Sequence, residues 1–299
     1  MVNTGLVPAK KMNVIVFASR KGGSGKSTLT AHLAAHASKP SRRCLLVDAD
    51  PQGSLTLWHK LRSAGDLTLK GGTRDLAEVI TAARSEGYHW AFVDTPPNMS
   101  AAVIEAIRFA TLVIVPARLA VFDLAAIKET IDLARQSRKP YAVVINAAPA
   151  RRDNTESPFV TESREVISKL NVPVWSGQIT NRADYVSALG SGLGVTEYNG
   201  RSQAALEIAQ LWSAIRRSVK AIDRVHRTAG VMHRVAAYPP SEPPSAFGGP
   251  SIISVEGSAR KRYPSRQTLS LGGRAVIAPR TRYLCTARRH GGTRIAPYE

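Results

Sequence analysis

Apolar residues over the first two-thirds of the chain fall into short, nearly continuous runs. These are 13–18 (NVIVFA), 44–47 (CLLV), 90–93 (WAFV), 112–115 (LVIV), 141–145 (YAVVI) and a shorter one at 172–175. Runs without alternation suit strands buried on both faces, as in a parallel sheet. Between them lie segments with helical spacing. Leu29, Leu33, Ala34 and Ala37 mark a helix over 26–37, and further helices are predicted at 53–62, 74–84, 101–109, 124–135, 159–170, 182–189 and 202–219. Strands alternating with helices predict a doubly wound α/β fold, its mostly parallel sheet covered by helices on both faces.

The pattern holds from about residue 12 to about residue 220. Residues 1–11 read as a short tail, and 12–220 as one domain. Residues 221–299 read as a basic tail with scattered Pro, Gly, Ser and Arg and isolated apolar residues, a composition expected to stay disordered.

Composition narrows the class. Apolar residues make up 43% of the 299, enough for a sizeable core. No apolar run reaches the roughly 18 residues a membrane-spanning helix requires. Lys10 and Lys11 precede an apolar run, but that run meets Arg20 and Lys21 without a cleavage-type site, so no signal peptide is expected. Two cysteines, Cys44 and Cys285, make no disulfide framework and suit a reducing cytoplasm. The net charge of +19 is carried by both the domain and the tail, which points to an anionic partner.

The sharpest signal is Lys21-Gly22-Gly23-Ser24-Gly25-Lys26-Ser27-Thr28, between the first strand and the first helix. Glycines there let backbone N–H groups face phosphate oxygens without a Cβ in the way, and the helix start adds positive charge. In such a P-loop Lys26 contacts the β- and γ-phosphates of ATP. The Ser27 hydroxyl ligates Mg²⁺, and Thr28 reaches the α-phosphate.

The loop departs from the plain Walker A pattern: Arg20 stands where a glycine is usual, and a second lysine, Lys21, precedes the Gly pair. This resembles the deviant Walker A motif of the ParA/MinD family of dimerising ATPases. The resemblance implies that Lys21 reaches the partner subunit's nucleotide and stabilises charge on the transferring phosphoryl group. Val47-Asp48-Ala49-Asp50-Pro51-Gln52-Gly53 resembles the family's D-x-D-P-Q-G segment. It implies Asp48 near the Mg²⁺ water shell and Asp50 orienting the attacking water. Phe92-Val93-Asp94-Thr95-Pro96-Pro97 resembles its Walker B segment, with Asp94 holding Mg²⁺ through water. Both carboxylate segments end apolar strands, where α/β sheets bind ligands.

Val113–Ala117 resembles the family's strand ending in proline, with 117–123 part of the nucleotide and dimer face. Asn146, ending the fifth strand, stands where the family often reads adenine; an Asx-type turn residue is an equal reading. Ile179-Thr180-Asn181-Arg182-Ala183-Asp184-Tyr185, with Ala188 and Gly192, resembles a late family stretch, so the likeness covers about residues 12–217. Short members of the family bind DNA without sequence preference. By that resemblance Arg182, Arg201, Arg216, Arg217 and Lys220 are candidate phosphate contacts.

The reading is thus a ParA-like ATPase, cytoplasmic and nucleoid-associated. It would dimerise on ATP, bind nucleoid DNA, and be stimulated by a ParB-like or cargo-adaptor partner. Two alternatives remain: a MinD-like membrane-associated ATPase, using the basic and apolar stretch 216–227, and a P-loop biosynthetic enzyme. Membrane binding is the weaker because Leu206–Ile215 reads as the core face of the last helix.

Overall fold

The computed structural model describes residues 11–71, 75–98, 100–118, 123–153 and 155–236. The N-terminal tail 1–10, residues 119–122 of the expected nucleotide and dimer face, and the tail 237–299 lie outside them.

The five longer apolar runs form strands β1 (Asn13–Phe17), β2 (Cys44–Asp48), β4 (Trp90–Asp94), β5 (Leu112–Ala117) and β6 (Tyr141–Ile145). A strand absent from the sequence reading, β3 (Leu67–Gly71), adds to the edge beside β2. Its pattern Leu-Thr-Leu-Lys-Gly alternates and only Leu67 is buried, so it lacks the continuous apolar signature of its neighbours. All pairings are parallel, in the order β3-β2-β4-β1-β5-β6.

Helices α1 (Lys26–Ala37), α2 (Ser54–Leu61), α3 (Leu76–Ser85), α4 (Ala101–Phe109), α5 (Asp123–Gln136) and α6 (Pro158–Ser168) follow the strands. Then come α7 (Ala183–Gly190), the single turn α8 (Val195–Tyr198) and the long α9 (Gln203–Ala236). Alternate strand residues point to opposite faces. Ile15, Phe17, Leu46 and Phe92 join one core with α1 and α9, while Val14, Val16, Val47 and Val93 join another with α3, α4 and α5. Both faces of every central strand are therefore apolar. Trp212 of α9 packs on Trp90 (ring centroids 4.6 Å apart) and Phe92 (5.9 Å), fastening the last helix to the centre of the sheet.

Two expectations need correction. Residues 172–175 do not form a regular strand. They touch the β6 edge through a bridge at Val143–Val174, and Pro173, lacking an N–H, only accepts from Val143. The last helix, expected to stop at 219, runs to Ala236, so a domain limit at 220 would fall inside it. The amphipathic pattern continues there: Val219 is buried, Ile222 packs against the core, and Lys11 pairs with Asp223. Of the apolar residues the membrane reading needs, Val225 is exposed, while Val219 and Ile222 are occupied by the core. Among the described residues no helix is long and apolar enough to cross a membrane.

Candidate functional site

The phosphate loop leaves the C-terminal end of β1 and opens α1. Gly23 (φ 70°) and Gly25 (φ 95°) take left-handed backbone conformations that side-chain-bearing residues rarely adopt. Helices α3, α4 and α6 are capped by Asp75, Ser100 and Ser157, and the start of α2 by Asp48, whose Oδ2 accepts from Thr56 N at 2.8 Å. Helix α1 has neither a side-chain cap nor an acid in its first turn. Its unpaired N–H groups face a cavity of about 420 Å³, lined by Gly22, Gly23, Lys26, Ser27, Thr28 and Asp50.

Lys26 is almost fully buried. Its Nζ donates to the carbonyls of Ser19 (3.2 Å) and Lys21 (3.4 Å), so the chain folds the ammonium over the loop. Burial lowers its pKa, and the nearby carboxylates of Asp94 and Asp50 oppose that shift. The start of the loop is held from two sides. Thr95 Oγ1 donates to Phe17 O at 2.8 Å, and Arg20 donates to Glu129 on α5. Lys21 itself is exposed beside the cavity.

Asp48 and Asp94 stand on adjacent positions of β2 and β4 and are buried. Asp48 Oδ2 is taken by Thr56, through both its N–H and its hydroxyl, but Oδ1 has no hydrogen-bond partner. Neither oxygen of Asp94 completes a hydrogen bond. Burial pushes the Asp94 pKa up to about 7, with the Ser27 side chain beside it pulling down and Asp48 adding to the rise. Buried carboxylate oxygens without partners are costly unless a cation or donor meets them. These hard oxygens next to the Ser27 hydroxyl fit Mg²⁺. Among the described residues no three His, Cys, Asp or Glu side chains converge as an all-protein cage. Asp50 sits half-buried on the cavity wall, and its Oδ1 accepts from Gln52 N at 3.0 Å.

Asn146 lies beneath the loop. It is buried, and its Nδ2 donates to Ser24 O at 2.7 Å. The amide expected at adenine thus braces the loop, and it is not among the residues lining the cavity. Arg118, just after β5 and within the 117–123 stretch expected at the nucleotide face, lines the cavity; Leu55, Trp58 and Leu189 line it too and were not singled out by the sequence.

The candidate DNA contacts separate into two groups. Arg182 is held by Glu207, its Nε and Nη2 donating to Oε1 at 3.2 and 3.1 Å. Glu207 also accepts from Tyr185 OH and Thr180 N, so Arg182 belongs to an internal network. Arg201, Arg216, Arg217 and Lys220 are exposed, on α9 or the turn before it.

A family model described as the CobQ/CobB/MinD/ParA nucleotide binding domain matches residues 15–195. The maintenance of carboxysome distribution protein A of Halothiobacillus neapolitanus is 26% identical, over 69% of this chain and 98% of its own. The chromosome-partitioning ATPase Soj of Thermus thermophilus is 30% identical over 44% of this chain and 66% of its own. Among solved structures, the cell division ATPase MinD of Pyrococcus furiosus superposes with a TM-score of 0.58 at 18% identity, over 69% of this chain and 99% of that one.

Proposed function

Because the chain belongs to the CobQ/CobB/MinD/ParA nucleotide-binding family of ATPases, we propose that it is a ParA-type positioning ATPase. It binds Mg·ATP in the loop 21–28, pairs with a second copy in the ATP state, grips DNA without sequence preference, and lets go on hydrolysis. The cargo is a chromosome, a plasmid or a protein assembly. Relatives named for carboxysome distribution and chromosome partitioning support that class. A stimulating partner protein of the ParB or cargo-adaptor kind sets the timing.

The observation that carries the nucleotide reading is the uncapped start of α1 facing two buried, incompletely bonded carboxylates. Ser27 would hold Mg²⁺ directly, with Asp48 and Asp94 behind it through water. The ion supplies charge neutralisation on the phosphates. Lys26 holds the β- and γ-phosphates, and Asp50, on the cavity wall, orients the attacking water. Lys21 extends toward the second subunit's nucleotide, so ATP joins the copies. Arg201, Arg216, Arg217 and Lys220 supply phosphate contacts.

The test is binding of the full chain to a random-sequence duplex, with and without a non-hydrolysable ATP analogue, over a salt series. Binding that requires the analogue and weakens steeply with salt is expected. Nucleotide binding without any DNA binding at low salt would overturn the positioning reading and leave an ATPase of another task. Lys21→Ala should leave ATP binding intact and lose dimerisation. A variant that dimerises like the parent removes the in-trans role.

A further inference from the structure

The N-terminal ends of the strands, opposite the phosphate loop, carry a second concavity of about 430 Å³. The loop follows the last residue of β1, and this pocket begins at Met12, just before its first. A five-residue strand, about 16 Å long, therefore separates the two. The floor is apolar, with Phe109 and Pro140 in it. The wall is cationic: Lys11, Arg84, Arg138 and Lys139, with His226 from α9. Among the described residues no Asp or Glu lines it.

Three features mark this cluster. First, three of its cations lack counter-ions. Arg151 and Arg164 pair with Glu156, and Arg182 pairs with Glu207. Among the described residues Arg84, Arg138 and Lys139 form no ion pair; Lys11 alone of the wall does, with Asp223. Second, the cations act on one another. Partial burial lowers the Lys139 pKa, and the Arg84 charge lowers it further. Third, Arg138 holds φ 52° where the chain leaves α5. Its N–H bonds to Arg135 O and that of Lys139 to Ala134 O, a helix end where glycine is the usual residue. A long cationic side chain is retained there against the cost of the left-handed conformation.

A set of unpaired cations beside apolar residues is complementary to a phosphoryl group, which accepts several charge-assisted hydrogen bonds at once. We propose that this pocket is a second anion site, built by Arg84, Arg138 and Lys139, that binds a phosphate group. The phosphate comes either from a free phosphorylated compound or from a DNA backbone. Helices α3 and α5 also end here, and cations at helix C-termini offset the negative end of the dipole. That alternative needs no ligand and is what the experiment must separate.

The full chain would carry Lys26→Ala, so that the phosphate loop contributes equally to both proteins compared, and would be tested with and without Arg138→Gln/Lys139→Gln. Inorganic pyrophosphate is titrated into these proteins by calorimetry; binding of a random 30-base-pair duplex is followed by fluorescence anisotropy with the same substitutions in the chain keeping Lys26, bound to a non-hydrolysable ATP analogue. Arg84→Gln serves as a second variant should the double one lose its folded circular dichroism spectrum. A loss of pyrophosphate affinity of about tenfold or more supports a site for free phosphorylated compounds. No pyrophosphate binding, with a tenfold loss of duplex affinity and a shallower salt dependence, supports a backbone phosphate as the source. Affinities for both probes within twofold of the parent overturn the proposal and leave the cations as helix-end partners only. ATPase turnover of the same substitutions in the unmodified chain should be unchanged, so failure here leaves the ATPase reading standing.

Discussion

The amide nitrogen of Asn146 lies 2.0 Å from where a Cβ on Gly25 would stand. The end of β6 and the phosphate loop therefore share one volume, and only glycine leaves room for the bond from Asn146 to Ser24 O. Gly25→Ala should displace the amide and abolish nucleotide binding. Asn146→Ala leaves the Ser24 carbonyl unpaired in a buried place, a cost of about 1–3 kcal/mol. Its ATP affinity should fall about tenfold, and its thermal midpoint should drop by a few degrees. Fluorescent-nucleotide titration and a melting curve test both; unchanged affinity in Asn146→Ala would refute the brace.

Asp94 faces the loop with neither oxygen bonded. Asp94→Asn should remove the Mg²⁺-dependent part of nucleotide affinity, about 10- to 100-fold by analogy with other metal-site partners. Affinity measured in EDTA should stay as in the parent. A variant with undiminished Mg²⁺ dependence would show that the ion is held elsewhere.

Asp50 has a different environment: it is half-buried on the cavity wall, and its Oδ1 accepts from Gln52 N. Asp50→Ala should keep nucleotide affinity and lower turnover by about 100-fold or more, the usual scale for a positioned base. Normal turnover, followed by phosphate release, would take the water-orienting role from it.

His32, on α1, links the loop helix to the start of α8. Its Nδ1 accepts from Val195 N at 3.0 Å and its ring packs on Tyr185. Burial pulls its pKa from the ordinary 6.5 down to about 4. The unfolded chain thus takes up this proton before the folded one does. The stability His32 contributes is complete above pH 6.5 and is lost as the pH falls towards about 4. The urea midpoint should drop between pH 7 and pH 5, and His32→Gln, which keeps an acceptor, should flatten that drop. Equal slopes would place the acid sensitivity in other groups.

Sequence by itself determined whatever depends on neighbours along the chain. The apolar runs of β1, β2, β4, β5 and β6 are legible because a strand buried on both faces needs every residue apolar. The phosphate loop is legible because its chemistry sits in eight consecutive residues. Strand β3 was not, since an edge strand needs only alternate apolar residues. Nor was the end of α9, where polar composition hid the packing of Val219 and Ile222. Only the tertiary structure decided that Asp48 and Asp94 share a register and that Asn146 sits under Gly25. It alone assigned Arg182 to Glu207 and gathered Arg84 and Lys139 at the far end of the sheet. Each of those joins side chains from separate elements, and the contact exists only once the sheet order brings those elements together.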